Sequence, residues 1–120
     1  MLKILISILL PFLLVSPLSA EVNVAPEKLL GKWCYTHYEV GGQKEEENIP
    51  YEFFKNGEFS FKNSASASSV RKAKYSLNGN KLDIGRLASG GLTIVELSES
   101  EMVCEWSFGA KRYFKRGECQ

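Results

Sequence analysis

The sequence is poor in the residues and motifs on which catalysis and metal binding depend. It has one histidine, His37, and three cysteines among 120 residues, and no partners at the spacing of a zinc site accompany the histidine. A Gly-x-Ser-x-Gly motif, a phosphate-binding loop and an acid pair in a known context are all missing. We therefore expect a protein that is not an enzyme and that carries no metal and no cofactor.

An excess of charge of one sign is also missing. Fifteen basic residues stand against 14 acidic ones, and the first 20 residues contain Lys3, so that without them the two numbers are equal. No long run of one sign occurs along the chain. This balance argues against nucleic acid or an anionic membrane surface as the main partner.

A long hydrophobic run is found at the N-terminus, where it has the form of a secretory signal. A basic residue precedes an apolar run at 4–15, and a small-residue segment follows it. The run of about 12 residues is shorter than the ~20 needed to span a bilayer, so we expect cleavage after Ala20 and a periplasmic or secreted protein with no membrane span. The expected organisation is a signal peptide at 1–20, a lead-in at 21–30 and one domain at 31–120.

The region after the signal peptide alternates apolar and polar residues with the period of a β-strand, and no stretch sustains a helical period. A short helical turn is expected at 25–30, where Pro26 stands near the start. Eight short strands in succession predict an antiparallel up-and-down β-barrel. The predicted strands are 32–40, 49–54, 58–62, 70–77, 80–85, 92–97, 101–108 and 111–115.

Two Asn-Gly pairs predict the register of two hairpins. A two-residue type I′ turn at 78–79 would pair Tyr75 with Leu82 on one face of the sheet. A two-residue turn at the other pair would mix the faces, which favours a three-residue loop at 55–57 with Gly57 in the left-handed conformation. The cross-strand pairs of this second hairpin would be Phe53 with Phe59 and Tyr51 with Phe61.

The connections alternate between long and tight, which places the long ones at one end of an up-and-down barrel. Eight strands closed on themselves leave an interior that is just wide enough for packed side chains or for one small ligand. The expected long loops are 41–48, 63–69 and 86–91, and the expected tight ones are 55–57, 78–79 and 98–100.

Four segments carry a resemblance to a known family. They are Leu-Gly-Lys-Trp at 30–33, Tyr-Glu-Phe at 51–53 followed by Asn-Gly at 56–57, Tyr-Ser-Leu-Asn-Gly at 75–79 and Tyr-Phe-Lys-Arg at 113–116. Together they resemble the lipocalin-like domain of small secreted bacterial proteins. The resemblance implies a lipocalin-like barrel that binds a small hydrophobic molecule. It also implies that Gly31 and Trp33 close the barrel floor, with Arg112 or Arg116 stacked over the indole ring.

Three cysteines in an oxidising compartment predict one disulfide and one free thiol. If the last strand closes against the first, Cys34 comes close to Cys119. Cys104 would lie two strands away, at ~10 Å, which is beyond the ~7 Å reach of a disulfide. We therefore predict a Cys34–Cys119 bridge and a buried free thiol at Cys104.

Alternation along the strands predicts a largely aromatic interior, and two interpretations of it stay open. The residues either line an apolar pocket that is open at the end with long loops, or they fill the barrel to native density. The predicted inward set is Trp33, Tyr35, Tyr51, Phe53, Phe59, Phe61, Tyr75, Leu77, Leu82, Ile84, Met102, Trp106 and Tyr113. The predicted pocket residues are Tyr35, His37, Tyr51, Phe53, Phe61, Tyr75 and Trp106.

Two functions follow from these two interpretations. A pocket would make the protein an exported binding protein for a small hydrophobic molecule. A filled barrel would make it a protein-binding module, such as an inhibitor or immunity partner, that presents loops 41–48 and 63–69 to another exported protein.

Overall fold

Nine antiparallel β-strands and three short 3-10 helices make up residues 23–120, the part of the chain that the computed structural model describes. The predicted signal peptide at 1–20 lies outside the described residues. The 3-10 helices are Pro26–Lys28, Gly85–Ala88 and Ser107–Gly109. The strands are β1 Gly31–Val40, β2 Gln43–Phe53, β3 Glu58–Phe61, β4 Arg71–Lys74, β5 Ser76–Asn78, β6 Lys81–Asp83, β7 Leu92–Leu97, β8 Glu101–Glu105 and β9 Lys111–Arg116.

The strands form one sheet in the order β4-β3-β2-β1-β9-β8-β7-β6-β5. Its two end strands, β4 and β5, are consecutive in the chain and are separated by Tyr75 alone, so the sheet curls into a nearly closed barrel. The prediction of eight strands is wrong, because the expected strand at 70–77 is divided. Its first part pairs with β3 and its second part with β6, while the Tyr75 N–H donates to the Gly57 carbonyl at 2.9 Å.

The predicted register is confirmed in one Asn-Gly hairpin and is wrong in the other. The three-residue loop at 55–57 is confirmed: Phe53 is paired with Phe59 and Tyr51 with Phe61, and Gly57 has a φ of 89°. The predicted turn at 78–79 is wrong by one residue. The loop is Gly79-Asn80, which places Leu77 opposite Leu82 and gives the positive φ of 66° to glycine at the first loop position.

The predicted long loop at 41–48 is also wrong. Strand β2 begins at Gln43, and the hairpin closes through a two-residue turn at 41–42. Both glycines of this turn have a positive φ, 59° and 79°, which matches the backbone that the tightest hairpins need. The polar run that follows is therefore an exposed strand, in which Lys44 lies opposite Glu39.

The two ends of the barrel are called the floor and the rim. The floor carries the lead-in at 24–30 and the turns at 54–57, 79–80 and 98–100. The rim carries the turn at 41–42 and the three longer loops, at 62–70, 84–91 and 106–110. The predicted strand at 101–108 ends at Glu105, because the chain turns back at Phe108 and Gly109, whose φ angles are 58° and 75°.

The core is continuous and apolar, and it contains one free thiol. Cys104 is fully buried in it, and burial raises the pKa of this thiol to about 12, with Arg112 opposing the rise. The predicted disulfide is confirmed: Cys34 and Cys119 are bonded, with their Cα atoms 5.0 Å apart. The core residues are Val24, Leu29, Trp33, Tyr35, Ile49, Tyr51, Phe53, Phe59, Phe61, Leu82, Ile84, Ala88, Leu92, Ile94, Met102, Cys104 and Phe114.

Candidate ligand-binding site

A β-bulge in strand β1 decides which side chains reach the rim of the barrel. The register of β1 with both neighbouring strands shifts between Tyr35 and His37, so that one residue is passed over and the inward alternation continues at Tyr38. The prediction of an inward His37 and an inward Tyr113 is therefore wrong. These two rings stack on each other instead, with their centroids 4.4 Å apart, and the Tyr113 hydroxyl donates to Glu39 at 3.1 Å.

At the floor, Trp33 is fully buried and its indole N–H donates to the Leu29 carbonyl at 2.8 Å. Gly31, two residues earlier, has a φ of 105°, and a Cβ added there would lie 3.7 Å from Nη1 of Arg116. A side chain at this position would thus be strained by the backbone conformation. Gly31 lets the chain turn into β1 directly beneath the arginine.

Arg116 covers Trp33 and closes the floor. Its guanidinium carbon lies 3.9 Å from the indole centroid. The same group donates to the carbonyls of Leu30 and Lys28, both at 2.7 Å, and to that of Glu99 at 3.3 Å. Arg116 is therefore held by three backbone acceptors and one aromatic face, and it joins the lead-in, the β7–β8 turn and β1.

Arg112 does not belong to the floor, which corrects the expectation that it could share that role. Arg112, Phe114 and Arg116 alternate along the inner face of β9, and four residues of strand separate the two arginines by roughly 13 Å. Arg112 thus lies near the rim. Its guanidinium carbon is 4.7 Å from the Trp106 ring centroid and 5.4 Å from that of Tyr35.

A cleft of about 290 Å³ opens at the rim beside Arg112. Of the seven predicted pocket residues, Tyr35, Tyr51 and Trp106 line it. The Trp106 indole N–H donates to the Ser89 carbonyl at 2.9 Å, which fixes this ring against loop 84–91. The lining residues are Tyr35, Tyr38, Glu47, Ile49, Tyr51, Lys62, Asn63, Leu87, Trp106, Ala110 and Arg112.

The other predicted pocket residues lie elsewhere. His37 is on the outer face. Phe53 and Phe61 are buried and stack on Phe59, with centroid distances of 5.4 Å and 5.2 Å. Tyr75 is half-buried, and its hydroxyl donates to the Phe54 carbonyl at 2.8 Å, near the floor. None of these four side chains lines the cleft. His37 is turned outward by the bulge, and for the others the alternation that points a residue inward does not tell whether it reaches the cleft.

Aromatic rings fill the barrel between the floor and the cleft. Phe114 lies 5.1 Å from Tyr35 and 5.6 Å from Tyr51, measured between ring centroids. Phe53 and Phe59 continue the cluster towards the floor and are almost fully buried. Both interpretations of the interior thus hold in different places, because this part of the barrel is packed and the rim is open.

Sequence reasoning missed several cleft residues. Ile49 could have been found, since it lies two residues before Tyr51, which is predicted to face inward. Arg112 is missed because the prediction places its neighbour Tyr113 inside. Tyr38 could not, because nothing in the sequence marks the bulge that turns it inward. Leu87 lies on the 3-10 helix Gly85–Ala88, which is too short to produce a periodic pattern.

The hydroxyls of Tyr35 and Tyr51 are neutral at physiological pH. Burial raises the pKa of Tyr51 to about 12, an effect that the positive charge of Arg112 opposes and that Glu47 adds to. Burial raises the pKa of Tyr35 as well, again opposed by Arg112. Both side chains therefore keep their protons and can donate hydrogen bonds.

Tyr35, Tyr51 and Arg112 line the cleft and are largely buried. Among residues 23–120, none of the three side chains has a hydrogen-bond partner, and Arg112 has no ion pair. Within the same residues, no fully buried side-chain nitrogen or oxygen lacks a partner. The unpartnered donors must therefore retain some accessible surface, and the cleft that these residues line provides it.

Two further features of the described chain bear on function. No group of three or more His, Cys, Asp or Glu side chains within residues 23–120 is arranged so that it could hold a metal ion. No helix in this part of the chain is long and apolar enough to cross a membrane.

The fold is lipocalin-like. No family model matches the chain, and no curated protein matches it. A lipocalin-like protein from Bacteroides uniformis ATCC 8492 has a similar solved structure, with a TM-score of 0.59 and 22% identity, over 75% of this chain and 99% of that one. An uncharacterized protein from Bacteroides eggerthii DSM 20697 is similar as well, with a TM-score of 0.59 and 19% identity, over 74% and 99% of the two chains. At these identities the likeness concerns the fold.

Proposed function

We propose that the protein is an exported, non-enzymatic binding protein that holds one small molecule in the cleft at the rim of its barrel. The observation that supports this most is the cleft itself, about 290 Å³ in volume and walled by aromatic rings. It opens above a part of the barrel that is packed with side chains. Clefts that combine apolar walls with a few placed polar groups are the usual form of small-molecule sites.

The size of the cleft limits its ligand. Typical sites for drug-sized molecules span roughly 300–1,000 Å³, so this cleft is at the lower end of that range. Below the cleft, the rings of Tyr35, Tyr51 and Phe114 pack against one another. A compact molecule with one or two rings or a short branched chain therefore suits the site better than a long lipid.

Export is part of the proposal. The signal-like segment at 1–20 supports it, and so does the Cys34–Cys119 disulfide, since structural disulfides persist mainly in oxidising compartments. A periplasmic or secreted protein with a small rim cleft would meet its ligand outside the cytoplasm.

Native mass spectrometry of the protein purified from the exported fraction of its own host tests the proposal. We expect a co-purified small molecule that is lost on denaturation. The Trp106→Ala variant, which removes one wall of the cleft, should carry much less of it. Phe108→Ala is the matched control, because Phe108 is in the same loop, is 99% exposed and does not line the cleft. A ligand-free wild-type protein would contradict the proposal.

A second candidate function is docking of another exported protein on the rim. Phe108 supports it, since this large apolar side chain is fully exposed and its backbone has the uncommon φ of 58°. Val40, at the same end of the barrel, is 40% exposed. If this function is correct, a protein from the exported fraction should co-elute with the wild type but not with Phe108→Ser.

A further inference from the structure

We propose that the ligand carries a carboxylate, which the Arg112 guanidinium binds within the rim cleft while the hydroxyls of Tyr35 and Tyr51 donate further hydrogen bonds to it. This inference rests on the proposed function and adds the chemical class of the ligand: a small organic acid with an apolar body.

The first argument is the burial of an unpartnered cation. Only 8% of Arg112 is exposed, yet within residues 23–120 it has neither an ion pair nor a hydrogen bond. Its unpartnered N–H groups keep some accessible surface at the cleft, and a charge so largely buried is normally paired with a protein group or a ligand. Arg116, which is more exposed, has three backbone acceptors. An anion in the cleft would supply the negative charge and the hydrogen-bond acceptors that Arg112 does not find within residues 23–120.

The aromatic neighbours of Arg112 do not replace such a partner. Trp106 and Tyr35 present their faces to the guanidinium, and a cation–π contact of this kind leaves the N–H groups at the edge of the plane unused. Those groups keep access to the cleft. A planar guanidinium whose edge is free can donate two parallel hydrogen bonds to a carboxylate.

The charges around the cleft also favour an anion. Lys62 lines the cleft with Arg112, and Glu47 is its one acidic lining residue. Glu47 is half-buried, and it forms no ion pair with Arg112 in the described chain. The lining therefore has a net positive charge, and Glu47 is the group with which a ligand carboxylate would compete.

Matched aromatic probes test the inference on the full, disulfide-bonded protein. 2-Naphthoate and 2-naphthamide have nearly the same shape and apolar area but differ in charge. Titration calorimetry should give a dissociation constant for the acid that is about tenfold or more lower than that for the amide, because hydrogen bonds to charged groups are the stronger ones. 2-Naphthyl phosphate is the third probe, since a guanidinium also recognises phosphate.

Two arginine variants distinguish recognition from general stability. Arg112→Met keeps the apolar stem and removes the charge, so the preference for acid over amide should fall to about onefold. Arg112→Lys keeps the charge without the planar fork and should retain part of the preference. Arg116→Met is the control, because it removes a positive charge from the same strand at the floor and should leave the preference unchanged. Glu47→Gln should tighten binding of the acid.

Each contrary result has a separate meaning. Equal affinity for acid and amide would overturn the carboxylate and leave the proposed function in place. Tighter binding of the naphthyl phosphate than of the naphthoate would replace the carboxylate by a phosphate monoester. An acid preference that survives in Arg112→Met would overturn the role of Arg112. If no probe binds and the protein purified from its host is also ligand-free, the proposed function itself fails.

Discussion

Arg112 and Arg116 lie four residues apart on the inner face of one strand, and their surroundings are opposite. Arg116 at the floor stacks on Trp33 and donates to three backbone carbonyls. Arg112 at the rim is more deeply buried, lies against the rings of Trp106 and Tyr35, and has no side-chain hydrogen bond or ion pair within residues 23–120. The same side chain completes the fold at one end and is left with free donors at the other.

This difference indicates that Arg116 stabilises the fold, whereas Arg112 keeps donors that the described chain does not use. A buried group whose hydrogen bonds are made by the chain itself contributes to folding, whereas a donor that the chain leaves beside a cleft is available to a ligand. Departures from full hydrogen bonding in a native protein are expected at functional sites. The floor therefore has the properties of a structural closure, whereas the rim keeps the donors that the proposed ligand would use.

Removing the disulfide should disturb the floor most strongly. Cys119 follows Arg116 by three residues and ties the tail to β1, across a sequence separation of 85 residues. We expect the double variant Cys34→Ser/Cys119→Ser to lose about 2–5 kcal/mol of unfolding free energy in urea titrations. Cys104→Ala, which leaves the bridge intact, should lose less. Equal losses in the two proteins would contradict a structural role of the bridge.

The two arginines should differ next most in their effect on stability. Arg116→Met removes three hydrogen bonds to carbonyls and should lower the free energy of unfolding by about 2–3 kcal/mol. Arg112→Met removes an unpaired charge, and in the ligand-free protein it should change that free energy by less than about 1 kcal/mol, in either direction. Thermal unfolding followed by circular dichroism measures both. A larger loss in Arg112→Met than in Arg116→Met would reverse the comparison.

Ionisation of Tyr51 should lower the free energy of unfolding at alkaline pH. The pKa of Tyr51 is about 12 in the folded state against 10.0 for the free group, so its contribution to stability is complete below pH 10 and is lost as the pH rises towards 12. We expect a loss of about 1–2 kcal/mol at pH 11 relative to pH 8.

The alkaline experiment is best made in the Cys104→Ala background, which prevents exchange of the free thiol with the disulfide. Tyr51→Phe is the matched variant, since it removes the ionising hydroxyl and keeps the ring, and its stability should decline less between the two pH values. An unchanged decline would show that Tyr51 does not cause it.

The smallest effect concerns backbone strain at the rim. Phe108 has a φ of 58°, a conformation that costs a non-glycine residue about 1 kcal/mol or more. Phe108→Gly should raise the free energy of unfolding by about 0.5–1 kcal/mol. Phe108→Ala, which keeps the strain, should not. No comparable gain in stability is expected at the floor, because its residues of positive φ, such as Gly31 at the start of β1, are already glycines.

The predictability of the two ends also differs, for a physical reason. Most of the floor follows from the Gly-x-Trp entry, the three-residue loop at 55–57 and the strand order that brings Cys34 to Cys119, and its turn at 79–80 differs from the prediction by one residue. At the rim, the inward direction changes at a bulge at Thr36, a residue that is common in regular strands. The Gly-Gly pair at 41–42 forms a tight turn, but the polar run that follows it is typical of a loop, so the sequence predicts no strand there.

Arg112 shows what alternation can and cannot provide. The pattern along β9 puts Arg112, Phe114 and Arg116 on one face, but the prediction of an inward Tyr113 assigns that face to the outside of the barrel. Alternation does not tell how far along the barrel axis each side chain lies, and this position distinguishes a side chain at the floor from one at the rim. The position depends on strand pairing on both sides, which is a tertiary property.

The most direct test of the account is NMR of the arginine side chains during a titration with 2-naphthoate. The Nε–H resonances of Arg112 and Arg116 report the two ends of the barrel in one sample, and Arg112→Met assigns the first of them. The account predicts that the Arg112 signal shifts with the acid, that 2-naphthamide shifts it less, and that the Arg116 signal stays in place. A titration in which the Arg116 signal moves and the Arg112 signal does not would contradict the assignment of the rim as the binding site.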